Sequence, residues 1–113
     1  MSRSTTPFNH VTTASTNAAL IVAGDRTLYE LTVFNPTATP VFVKLYNKAS
    51  TPAPATDVPL VTIPVAAGTL VAYEFGSEGK DFALGIGRAV TANAPSNDNT
   101  AAVAGVIISG TRA

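Results

Sequence analysis

Hydrophobic and polar positions alternate with a period of two along this chain, most clearly in LYELTVFNPTATPVFVKLYN, residues 28–47. In 28–34, Tyr29, Leu31 and Val33 interleave with Glu30 and Thr32. In 41–46, Val41, Val43 and Leu45 interleave with Phe42, Lys44 and Tyr46. That period sends successive side chains to opposite faces of a strand, and β-branched and aromatic residues suit the pleat. Asn35-Pro36 opens a turn, and Pro40, with no N–H to give a ladder, closes it. A hairpin is expected.

Five further segments carry strand patterning: 17–23 (NAALIVA), 60–65 (LVTIPV), 69–75 (TLVAYEF), 82–90 (FALGIGRAV) and 103–109 (VAGVIIS). Pro64 demotes its strand to a sheet edge or a strand end. In 69–75, Val71, Tyr73 and Phe75 share one face and Leu70, Ala72 and Glu74 the other. Gly85 and Gly87 remove side chains from one face of 82–90, where another backbone, a bend or a partner would approach. Polar loops fall at 49–58, 76–81 and 92–100, and no 3.6-residue apolar period survives over eleven residues. The spacing predicts an all-β chain, an antiparallel β-sandwich of seven or eight strands, jelly-roll-like or immunoglobulin-like. Residues 1–16, polar and Thr-rich, are expected to be an N-terminal arm, and residues 17–113 a single sandwich domain.

Charge changes the picture. Of 113 residues only 12% are Asp, Glu, Lys or Arg, about half the usual share of roughly 25%. Seven cations balance seven anions. A sparsely charged surface of zero net charge suits faces covered by copies of the chain or by a larger assembly. Arg3, Arg26, Lys44, Lys48, Lys80, Arg88 and Arg112 are scattered, so no nucleic-acid surface is expected. No cysteine is present, which rules out disulfides and thiolate chemistry. No apolar h-region follows Arg3, and 58–73 is broken by prolines and a glycine, so neither a secretory signal nor a membrane span is expected.

Candidate chemistry is thin. His10 is the single histidine and has no second His or Cys for a zinc site or a triad. Glu30 and Glu74 are the carboxylates that could face one side of a sheet, as a glycosidase pair would, but solvent-facing positions explain them as well. The loop SNDNT, 96–100, has one ionised oxygen donor, Asp98, too few for calcium. GIG in 85–87 lacks the helix and third glycine of a dinucleotide site. No enzyme, cofactor or metal is expected. Phe42, Lys44 and Tyr46 share the face opposite Val41, Val43 and Leu45, and admit three readings: a sugar-stacking platform, a subunit interface, or a second packed face. Phe8 and Val11 are the apolar residues with which the arm would reach a neighbour.

The segments VFNPTATPVFVKLYNKAS, Thr56-Asp57-Val58-Pro59, LVTIPVAAGTLVAYEFG and FALGIGRAVTANA, in that order, resemble small virion structural proteins of tailed bacteriophages, of the capsid decoration (cement) kind. The resemblance implies a homotrimer that binds the major capsid protein or other virion proteins and stabilises the head. It carries no motif residue over. Phe8, Val11, Phe42, Lys44 and Tyr46 are the candidate interface. The alternative is a carbohydrate- or receptor-binding module of a head fibre or tail.

Overall fold

The computed structural model describes residues 5–113, so the first four residues of the expected arm, Arg3 among them, lie outside the described residues. Among the described residues nine strands follow one another: β1 Thr6–Val11, β2 Ala19–Ala23, β3 Arg26–Asn35, β4 Val41–Asn47, β5 Val61–Val65, β6 Thr69–Glu74, β7 Lys80–Phe82, β8 Gly85–Thr91 and β9 Ile107–Arg112. They form two antiparallel sheets. One has the order β1-β9-β3-β6, with β7 pairing the start of β3 where β6 leaves off; the other has the order β2-β8-β4-β5. The chain changes sheet at almost every connection, which is the jelly-roll order.

Loops 12–18, 36–40, 66–68 and 92–106 therefore gather at one end of the sandwich, and 24–25, 48–60 and 75–84 at the other. Backbone hydrogen bonds tie each group together. Thr12 N–H donates to Val106 O at 2.8 Å and Ala102 N–H to Ser15 O at 2.8 Å at the first end; Gly24 N–H donates to Leu84 O at 2.9 Å at the second.

Between the sheets lies the apolar core, including Leu28, Leu31 and Val33 from β3, Val41, Val43 and Leu45 from β4, Ile86 and Val90 from β8, and Ile108 from β9. Val71 and Phe75 pack against it, as the alternation in 69–75 predicts, whereas Tyr73 stays at the rim, 39% exposed. In β3 the alternation differs by one position. Leu28 pairs with Arg112 but Glu30 with Thr111, so Tyr29 is an extra residue opposite β9. This bulge puts Leu28, not Tyr29, into the core.

Three expectations are corrected. The expected hairpin of β3 and β4 does not form, because the two strands belong to different sheets and 36–40 crosses between them. Asn35, fully buried, holds that crossing. Its Nδ2 donates to Thr39 O at 2.9 Å and to Val65 O and Ala66 O at 3.3 Å, while its Oδ1 accepts from Thr37 N–H and Oγ–H. The patterned run 82–90 is likewise two strands in two sheets. The chain switches at Gly85, whose φ of +149° and backbone neighbours (Lys48 O 2.5 Å and Val22 O 2.8 Å from an added Cβ) leave room only for glycine.

The arm is the third. Residues 6–11 form β1, paired along its whole length with β9. Phe8 turns inward against the core, over Gly110, because that glycine presents no Cβ to keep the ring away. Sheet edges are blunted by Pro7 in β1 and Pro64 in β5, neither of which offers an N–H, and by the register shift in β2.

A methyl group on Gly110 would sit 2.4 Å from Glu30 O and 2.6 Å from Phe8 Cζ. Gly110→Ala should destabilise the fold by roughly 1–3 kcal/mol, the usual cost of overpacking a filled site. Urea unfolding of the two proteins measures it, and equal midpoints would mean that β1 does not lie as described.

Candidate functional site

The two sheets bury their inner faces against each other and differ in their outer faces. β4 is buried on both sides: Lys44 is 0% and Tyr46 1% exposed, and Phe42 is half-buried. The outer face of β8 beside them carries Gly87, Ala89 and Thr91, small residues that leave space for the two long loops. Loop 92–106 comes down on Lys44, whose Nζ donates to Pro95 O at 2.8 Å and lies 3.4 Å from Asp98 O. Loop 48–60 lays Pro52 on Gly87, where an added Cβ would meet the proline ring at 2.5 Å, next to Tyr46.

Loop 48–60 is closed by an ion pair between Lys48 and Asp57 and by Ala53 N–H donating to Asp57 Oδ2 at 2.7 Å. Those bonds hold the Asp57 carboxyl below the usual range. The Tyr46 hydroxyl beneath is buried without a hydrogen-bond partner, and burial, then the charge of Asp57, pushes its pKa up.

Of the candidate interface, then, Lys44 and Tyr46 are covered by the chain's own loops, and the second packed face is the reading that describes them. Tyr46 presents no ring to stack a sugar. Phe8 is engaged in the core, and Val11 is 52% exposed. The other expected groups also have structural partners. His10 Nε2 lies 3.3 Å from Asn17 Oδ1, and Asn17 organises loop 12–18 by accepting from Thr13 N–H at 2.9 Å and donating to Thr13 O and Ser15 O. Asn17 adopts a φ of +54°, and its carbonyl accepts from Arg88 at 2.6 Å. Burial pushes the Asp98 carboxyl up, but bonds from Thr100 and Asn93 outweigh it and hold the group low. Among the described residues no three His, Asp or Glu side chains come together as a metal site.

The outer face of the five-stranded sheet carries no such cover, and register arranges it in rows. Val11, Ile107, Phe34 and Leu70 lie directly opposite one another across β1, β9, β3 and β6, exposed by 52, 37, 40 and 60%. Two residues along, the row is Asn9, Ser109, Thr32 and Ala72. Two further, it is Pro7, Thr111, Glu30 and Glu74. Glu30 and Glu74 thus do share a face, as nearest cross-strand neighbours. With Tyr29, Gly76 and Ser77 they line an open hollow of about 420 Å³. Acid continues towards the same end: Asp81 is opposite Thr27 in β3, and a hydrogen bond from its protonated carboxyl to the neighbouring Asp25 raises its pKa.

The apolar row was missed in the sequence. Phe34 and Leu70 end their strands beside turn residues, and only register brings Val11 and Ile107 into line with them. No known protein family, curated protein or solved structure matches the chain.

Two outcomes follow from the covered side and the seam. Burial, then the charge of Arg88, lowers the His10 pKa, with the Asn17 bond opposing. The unfolded chain, titrating near 6.5, therefore binds the more protons between the two values, so stability rises with pH through that window and is flat above it. His10→Gln should remove that slope in urea unfolding at pH 5 and 7.5; an identical slope in both proteins would assign it elsewhere. Burial likewise lowers the Lys44 pKa, with Asp98 opposing. Lys44→Met exchanges a costly buried ammonium for a methyl group. It should free residues 93–100 to faster amide exchange, while costing less than a core truncation, which runs about 2–5 kcal/mol.

Proposed function

We propose that this chain is a non-enzymatic structural protein of a virus particle, a capsid decoration protein of a tailed bacteriophage that self-associates and attaches through its surface. The observation that carries this reading is the uncovered apolar row Val11–Ile107–Phe34–Leu70 on the outer face of the five-stranded sheet. A soluble module with few charges gains nothing from four aligned apolar side chains in water, whereas a flat contact with a neighbouring protein buries all four. Full burial of a Phe or Leu side chain is worth about 1.5–3 kcal/mol, and these begin about half-exposed. Repetition over many equivalent positions on a shell turns such modest contacts into firm attachment. The sequence resemblance to decoration proteins and the zero net charge support the same reading.

The alternative, a carbohydrate- or receptor-binding module built on Phe42 and Tyr46, loses its platform because Tyr46 is buried under loop 48–60.

Virions purified from the lysate in which the chain is made should carry it in many copies at regular positions on the head, seen by electron microscopy. Its absence from virions would overturn the role. Sedimentation at micromolar concentration should give about three times 11.5 kDa. Phe34→Ser with Leu70→Ser should weaken attachment about tenfold or more and leave the β-spectrum unchanged, since both positions face solvent. Unchanged attachment would remove the row from the contact.

A further inference from the structure

On the reading that the chain docks through this face, we infer that its partner is a protein surface carrying an arginine about 13 Å from an apolar side chain, the arginine seating between Glu30 and Glu74. The spacing comes from the sheet. Phe34 and Glu30 are four residues apart on β3, Leu70 and Glu74 four apart on β6, and a strand advances about 3.3 Å per residue.

Charge selects the partner. Glu30 and Glu74 face each other across neighbouring strands, an arrangement that costs stability because like charges are directly opposed. Asp81 and its neighbour Asp25 add two more carboxylates at the same end. Among the described residues the one ion pair is Lys48–Asp57, in the loop over the other sheet. Among the described residues no cation pairs with Glu30 or Glu74: Arg26 Nε donates to Ala23 O at 3.0 Å, while Asp25 and Asp81 hydrogen-bond each other. A planar guanidinium can bridge two carboxylates with parallel hydrogen bonds and lie on an aromatic ring, and Tyr29 lines the same hollow.

A second copy fits the face poorly. Superposing two such faces with strands aligned sets acid against acid, and the opposite orientation sets the acidic row of each copy against the apolar row of the other.

The probe is a five-residue extended peptide, acetyl-Leu-Thr-Ser-Thr-Arg-amide, titrated into the protein and followed by amide chemical shifts. Saturable shifts should cluster at Tyr29, Glu30, Phe34, Leu70 and Glu74. Affinity should fall about fivefold or more when the peptide's Arg is replaced by Glu, when the protein carries Glu30→Gln with Glu74→Gln, or when salt shortens the Debye length to about 3 Å. The double variant removes a repulsion at exposed positions, so its thermal midpoint should not drop and folding does not confound the result. Equal binding of the Arg and Glu peptides, or shifts confined to other faces, would overturn the inference. So would concentration-dependent self-association abolished by Phe34→Ser, which would give the face to a second copy. Failure of the decoration role shows separately, as absence from virions with the peptide result intact.

Discussion

The Lys44 ammonium, buried on the outer face of the four-stranded sheet and held by the carbonyls of Pro95 and Asp98, sets the asymmetry on which the molecule depends. A charge in that position is tolerable only if oxygen acceptors come to it. Loop 92–106 supplies them, and in doing so roofs one half of the sheet. Loop 48–60 roofs the other half, where Gly87 makes room for Pro52 and the Lys48–Asp57 pair closes the loop on itself. β4 and β8 are thereby buried on both faces. The five-stranded sheet, with only short connections around it, keeps its outer face open.

That difference decides where function can reside. The aromatic-flanked lysine of β4 is structural, because its surroundings are filled from within the chain. The open face combines an aligned apolar row, a middle row of small and polar side chains, and an acidic end where, among the described residues, no cation pairs with Glu30 or Glu74. Each row draws one residue from each of four strands that are distant in sequence, so the face is a product of the jelly-roll order.

Two residues make that order possible. Asn35 satisfies the backbone of the 36–40 crossing with its own amide and ties it to the parallel crossing at 66–68, whose Gly68 N–H donates to Thr37 O at 3.1 Å. Gly85 lets the chain leave one sheet and enter the other within two residues. Both sit where a polar backbone passes close to the core, and there an unmet hydrogen bond or an extra methyl group is most costly.

By itself the sequence determined the all-β class, the sandwich, six of the nine described strands to within a few residues, and that Pro64 marks a sheet edge or a strand end, of which the structure shows the edge. These rest on local chemistry: side chains that alternate along a strand, and a ring that lacks an N–H. The tertiary structure alone decided which strands pair, that β1 belongs to the sheet, that 80–91 is two strands, and which outer face is bare. Alternation shows that a strand has two faces, but a side chain such as Lys44 or Phe34 is covered or open according to what distant loops do. Phe34 meets Val11 and Leu70 only through register across three neighbours, a long-range quantity that no local pattern encodes.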